Sequence, residues 1–132
     1  MGERLELAEG REVQAQAAGH ALVLHGLHLR RTTHAETIIS ACDQPNLKLL
    51  FDCYHVQISE GDISRRLEWL LPITGHVQFA SVPDRAEPDR GELDYTHVLN
   101  LLAKLGWNKP LGAEYRPTGT VEDGLGWMKS LP

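Results

Sequence analysis

Cysteine is scarce in this chain: Cys42 and Cys53 are the only two, and their spacing matches neither a zinc finger nor a redox motif. They read as reduced thiols of a cytoplasmic protein. Long apolar runs are also missing. No stretch approaches the roughly 18 residues that a membrane-spanning helix needs, and the opening MGERLELAEGREVQ lacks the apolar core of a secretory signal. Basic residues are outnumbered: 13 Lys and Arg stand against 18 Asp and Glu, for a net charge of −5. A nucleic-acid-binding surface would show a basic stripe instead. Neither a membrane nor a nucleic acid is therefore expected as a partner.

What is present suits an ordinary globular domain. The chain has 132 residues, of which 42% are hydrophobic and 23% charged, close to the averages for soluble domains. The length allows one domain. Residues 1–20 are polar and weakly patterned, with a helix through Val13, Ala17 and Ala18 the only reading they suggest. Residues 21–132 are patterned throughout. Leu22, Val23 and Leu24 make a short apolar run that reads as a strand. Thr33 and Glu36 have capping-box spacing, and the helix they open would bury Ala35, Ile38 and Ile39 up to about Cys42.

The run LKLLF at 47–51 is too short and too apolar for a surface helix and reads as a buried strand. Asp62 can cap a helix with Ile63, Leu67, Leu70 and Leu71 on one face, stopped by Pro72. Residues 76–80 read as another strand, followed by a loop rich in Pro, Asp and Arg over 81–92. Asp94 caps a helix with Val98, Leu101, Leu102 and Leu105 on one face, and Gly106 ends it. Residues 111–114 read as the last strand. Thr120 opens the last helix, which would turn Leu125 and Met128 inward. Gly61 and Gly91 read as turn residues, and Trp69, Trp107 and Trp127 as packing residues. His20, His25, His28 and His34 cluster in sequence without the spacing of a metal motif.

Strand and helix alternate three or four times, the mark of βα units and a parallel sheet. Four such units are half of a (β/α)₈ barrel, which normally takes about 250 residues. A small open α/β sheet is the alternative at this length.

In parallel α/β folds, functional groups gather at the C-terminal ends of strands. Three of the strands here end on oxygen donors: Asp52 with His55 just beyond it, Gln78, and Glu114. Two carboxylates and an amide oxygen suit Mg²⁺ or Mn²⁺ better than zinc. Taken singly, each has a structural reading. An aspartate after a strand is more often a turn or helix cap, Gln78 can be a satisfied polar group in a barrel interior, and Glu114 can pair with Arg85 or Arg116. His55 can bond a substrate or cap its loop. Arg85 can take a substrate carboxylate in a bidentate contact or be a solvated loop charge. Three donors at three strand ends tilt the balance towards a site.

The runs PNLKLLFDCYHVQISEGD, LLPITGHVQFASVPDRAEPDRGELDY and LGAEYRPTGTVEDGLGW resemble hydroxypyruvate isomerases, within the xylose isomerase-like TIM barrel superfamily. The resemblance extends from about Leu29 to the end and covers the C-terminal half of that family. It implies reversible conversion of hydroxypyruvate to tartronate semialdehyde, or action on a related small 2-oxo acid such as 2-oxo-tetronate. It further implies a divalent metal, Mg²⁺ or Mn²⁺, held by Glu, Asp, Gln and Glu at successive strand ends. Asp52, Gln78 and Glu114 match the last three, with Glu114 as catalytic base, while His55 matches a substrate-side histidine of the related epimerases; Arg85 remains a substrate-binding candidate on its own chemistry. The family's first glutamate, in a Glu-Pro-hydrophobic-Asn motif, has no counterpart: the run LVLHGLH at 22–28 contains no glutamate. His25 stands near that position and is assigned no role. The implied partner is a 2-oxo acid, and a homodimer completing the barrel is the expected assembly. The alternative is a truncated, catalytically inactive half-barrel that only binds a metal or a partner chain.

Overall fold

In the computed structural model, residues 31–132 are described throughout, and of residues 1–30 only the backbone of four short strands is described. Strands β1 (Arg4–Leu7) and β2 (Arg11–Gln14) pair antiparallel with Leu5 opposite Val13, and β3 (Ala17–Ala18) pairs with β4 (Ala21–Leu22). The helix expected through Val13, Ala17 and Ala18 is therefore corrected to strands. Leu5, Leu7 and Val13 alternate with charged neighbours, a period-two pattern that a helix cannot use. Leu22 likewise belongs to a two-residue antiparallel pair rather than to the parallel sheet, and Val23 and Leu24 lie outside the described residues, as do His20, His25 and His28.

Helix α1 (Thr32–Cys42) buries Thr32, Ala35 and Ile39, with Ile38 half-buried. Its N-cap is Arg31, with no side-chain cap, so the Thr33–Glu36 capping box does not form. A distant residue takes over: the free Thr32 N–H donates to Glu60 Oε1 at 2.6 Å. Arg66 then ties Glu60 (2.9 Å) to the Thr32 hydroxyl (2.6 Å). A charged acceptor makes a stronger bond than a neutral local cap.

Strand β5 (Leu49–Asp52), β6 (Thr74–Phe79) and β7 (Leu111–Ala113) form a three-stranded parallel sheet in the order β5-β6-β7. Helix α2 (Cys53–Ser59) follows β5 directly and was not legible in the sequence, because Asp52 ends the strand and caps the helix at once. Helix α3 (Ile63–Leu70) buries Ile63, Leu67 and Leu70 as the spacing demands, and Leu71 passes into a 3₁₀ turn at Pro72. Asp62 stands at its N-cap but makes no cap bond; its φ of 54° is the left-handed region and turns the carboxylate away. Helix α4 (Tyr95–Lys104) is capped as expected, Asp94 accepting from the His97 N–H at 3.1 Å, and Gly106 closes it at φ 85°.

Helix α5 (Val121–Gly124) is a single turn that becomes a 3₁₀ helix over Leu125–Lys129. The change of period from 3.6 to 3 moves the inward position. Leu125 and Met128, expected inside, are 42% and 62% exposed. Trp127 faces inward instead, edge-on to Phe79 at 5.7 Å. Trp69, read as packing, is exposed.

Register divides the sheet into two faces. Leu50 lies opposite His76, and Asp52, Gln78 and Gly112 form one cross-strand row. Alternation puts Leu49, Phe51, Val77 and Phe79 on the other face, where they join Ala35, Ile39, Val56, Leu67, Leu70, Val98 and Leu102 in the buried core. Burying each large apolar side chain contributes about 1.5–3 kcal/mol. The buried cluster takes nothing from Leu50, His76, Gln78 or Gly112. Helices covering one face only make a barrel wall, whereas an open doubly wound sheet is covered on both.

Candidate active site

Asp52 is the first element of the site. It is 6% exposed, and its Oδ1 accepts from the Tyr54 N–H at 2.9 Å and the His55 N–H at 3.4 Å, capping α2. The bland reading of Asp52 as a cap is thus true of one oxygen. The other, Oδ2, is buried and has no hydrogen-bond partner. Gln78, next in the row, has its Oε1 in the same condition. Buried acceptors without a partner are rare and cost about 1–3 kcal/mol each. The third such atom among the described residues, Trp107 Nε1, is a donor and cannot join them.

Glu114 follows β7, its N–H donating to Phe79 O at 3.1 Å. Its carboxylate is half exposed and is held by Arg85, which also lies 4.0 Å from Asp52 Oδ2. Arg85 thus bridges two carboxylates from separate strands and stacks over the Tyr54 ring at 5.0 Å. With 19% of its side chain exposed it is no solvated loop charge. His55 Nε2 lies 3.7 Å from Asp52 Oδ2, with its ring half exposed and edge-on to Tyr54. Within the row, Gly112 makes room: a Cβ there would stand 2.8 Å from His76 Nε2. All five residues singled out in the sequence therefore meet at one rim.

The loop at 81–92 that delivers Arg85 is itself built. Ser81 is fully buried, donates its hydroxyl to Asp84 and receives the Ala86 N–H at 3.2 Å. The Ser81 hydroxyl and then the Ala86 N–H, which also donates to Asp84 Oδ1 at 3.3 Å, hold the Asp84 carboxyl below its ordinary pKa, and between them Arg85 lies in the left-handed region at φ 57°. Glu87, which sequence reasoning passed over, is 4% exposed. The Thr118 N–H (2.9 Å), the Thr118 hydroxyl and Arg90 all bond it. Those bonds, the Thr118 N–H first, bring its pKa down to about 2. Cys53, adjacent to Asp52, is completely buried, which raises its thiol pKa and leaves it inert. Tyr54 was equally invisible in the sequence, since only the short α2 turns its ring under Arg85.

The donor set passes a chemical test for a hard cation. Two buried oxygens in one row have no hydrogen bond, and a carboxylate stands at the same rim, already drawn to a positive group. Among the described residues no three His, Cys, Asp and Glu side chains gather as a metal cluster; Gln78 supplies the amide oxygen that such a count leaves out. Oxygen donors of this kind suit Mg²⁺ or Mn²⁺.

A family model described as "Xylose isomerase-like TIM barrel" matches residues 11–131. The chain belongs to the xylose isomerase-like TIM barrel family. Among family members, it is 42% identical over 104 residues to a 2-oxo-tetronate isomerase of Cupriavidus necator, covering 79% of this chain and 40% of the relative. It is 36% identical over 103 residues to the hydroxypyruvate isomerase of Escherichia coli, covering 78% and 40%. A solved structure titled AP endonuclease, family 2, from Brucella melitensis superposes with TM-score 0.72 at 40% identity, over 74% of this chain and 38% of that one. The chain thus spans about 40% of the length of the curated relatives it matches, and its parallel sheet is part of a family barrel. No helix among the described residues is long and apolar enough to cross a membrane.

Proposed function

We propose that this rim serves an isomerase acting on hydroxypyruvate, or on a related small 2-oxo acid such as 2-oxo-tetronate, by proton transfer between adjacent carbons. The observation that carries the reading is the pair of orphaned buried oxygens, Asp52 Oδ2 and Gln78 Oε1, in the row beside Glu114 and Arg85. Both relatives compared above are named for isomerisation of such compounds.

Asp52, Gln78 and Glu114 would hold Mg²⁺ or Mn²⁺, weakly, since the family's first glutamate has no counterpart in the 22–28 run. When bound, such an ion supplies polarisation of the substrate's oxygens. Arg85 takes the substrate carboxylate through its guanidinium fork. That contact competes with Glu114 for Arg85 and frees the Glu114 carboxylate to act. Glu114 then removes the proton from the carbon bearing the hydroxyl and returns it to the neighbouring carbonyl carbon, while the hydroxyl proton passes to the former carbonyl oxygen, so that alcohol and carbonyl exchange places. His55, on the open side of Asp52, hydrogen-bonds a substrate oxygen.

Turnover of hydroxypyruvate with added Mn²⁺ tests the reading. Glu114→Gln should lower kcat by about 10²–10⁴-fold, the usual share of a general base, and unchanged turnover would remove Glu114 from the mechanism. Arg85→Ala should mainly raise KM, as for a group that binds ground and transition states alike. A second reading, a catalytically inactive half-barrel that only binds metal or a partner chain, is favoured by the Arg85–Glu114 pair that already occupies the base. Mn²⁺ binding without turnover would select it. Assembly belongs to the same proposal. Among the described strands β5 and β7 each have one neighbour, and free edges seek partners, so two copies joining into a homodimer is the expected state. Light scattering that reports a soluble monomer at tens of micromolar would refute it.

A further inference from the structure

The segment after β7 is bound in an alternating way. Glu114 N–H donates to Phe79 O at 3.1 Å, Arg116 N–H to Arg85 O at 2.7 Å, and Thr118 N–H to Glu87 Oε1 at 2.9 Å. Every second N–H of 114–118 thus finds an acceptor on the segment that leaves β6, as in a sheet ladder. Pro117, between the last two, has no N–H to offer. The third acceptor is a side chain where a ladder would use a carbonyl. Glu87 fills that place with a buried carboxylate, which is also bonded by the Thr118 hydroxyl and by Arg90. Gly124 of α5 closes over it, since a Cβ there would lie 2.9 Å from Glu87 Oε1.

We infer that Glu87 is a positioning residue: its carboxylate extends the β6–β7 pairing beyond the sheet and so holds the Arg85 loop and the Glu114 segment in the spacing that brings those two side chains together. The inference rests on the proposed function for its meaning, because Arg85 and Glu114 are the substrate and proton groups of that reading. The middle rung, Arg116 to Arg85, lies between the sheet and Glu87. Loss of the outer rung leaves it at a fraying end. A charge-assisted bond is about twice as strong as a neutral one, which suits the last rung of a ladder exposed on one side. Its bonds, the Thr118 N–H first, hold the Glu87 carboxyl well below the ordinary glutamate range, so the acceptor is charged at neutral pH.

The test uses the full chain with uniform nitrogen labelling, and needs no turnover. In Glu87→Ala the Arg116 and Thr118 amides should exchange roughly tenfold faster or more. The Arg85 Nε–H signal should move to the position of a solvated arginine. Glu87→Gln, whose amide oxygen still accepts from Thr118, should restore most of both. If Glu87→Ala does not fold, Thr118→Pro deletes the same rung from the other side and must move the Arg85 signal likewise. Faster amide exchange with an unmoved Arg85 signal would make Glu87 a structural group only and overturn the inference. Where turnover is measurable, Glu87→Ala should lower kcat and raise KM together, as a misplaced pair requires, and Glu87→Gln should recover both. Lack of turnover in the unaltered chain would refute the isomerase reading while the Arg85 signal still decides this one.

Discussion

The two faces of the parallel sheet come from the same short strands and behave oppositely. On one, Leu49, Phe51, Val77 and Phe79 meet the helices and are almost wholly buried. On the other, Leu50, His76 and Gly112 are half-buried, and Asp52 and Gln78 carry two buried oxygens with no hydrogen bond. The first face is apolar and supplies stability. The second leaves acceptors unsatisfied at a cost of kcal/mol, which stability alone would not retain. Adjacent residues on one strand thus divide between fold and site through the period of two.

The strongest way to break this comparison is to truncate neighbours on opposite faces. Phe51→Ala should destabilise by about 3–5 kcal/mol, the range for a buried aromatic, and Leu50→Ala by clearly less. Equal urea midpoints for the two variants would sink the distinction. Next in size is Gln78→Met, which keeps the shape and removes the unpartnered carbonyl. It should raise stability by about 1 kcal/mol and weaken Mn²⁺ binding at the same time. A destabilised variant would mean that Gln78 Oε1 has a partner in solution.

A smaller effect is expected at the rim with pH. Glu87 has a folded pKa of about 2 against an ordinary 4.5, so its contribution is fully present above about 4.5 and disappears as pH falls towards 2. The gap in urea midpoint between the unaltered chain and Glu87→Gln should narrow across that window, and a gap that stays constant would contradict the assignment. The smallest effect belongs to the exposed side of the last helical segment. Met128→Ser should change stability by no more than about 0.5 kcal/mol, and a larger loss would show that Met128 is covered in solution.

Much of the site could be read in advance because it obeys local rules. Asp52, Gln78 and Glu114 each sit at the end of a short apolar run, and strand ends are where parallel folds place chemistry. Arg85 stood out less, since a charge in a Pro- and Asp-rich loop looks the same whether solvated or held. Its role became visible only with Tyr54 beneath it and two carboxylates beside it. Glu87 showed locally only its i,i+3 partner Arg90, an ordinary surface pair in sequence; Thr118 and Gly124, which bury it, are more than thirty residues away. The missed hairpin at Leu5 and Val13 had a signal, period-two alternation, which the alanine-rich stretch after it obscured.

By itself the sequence determined the alternation of strand and helix, the caps at Asp94 and Thr120, and the stop at Gly106. Those features follow from propensity and period, which act over a few neighbours. Only the tertiary structure decided that Glu60 rather than Thr33 opens α1, that Trp127 rather than Leu125 or Met128 turns inward, and that one oxygen of Asp52 is hydrogen-bonded while the other has only longer ionic contacts to Arg85 and His55. Each of these depends on which distant group comes within reach, and contact across the chain is not encoded in any local spacing.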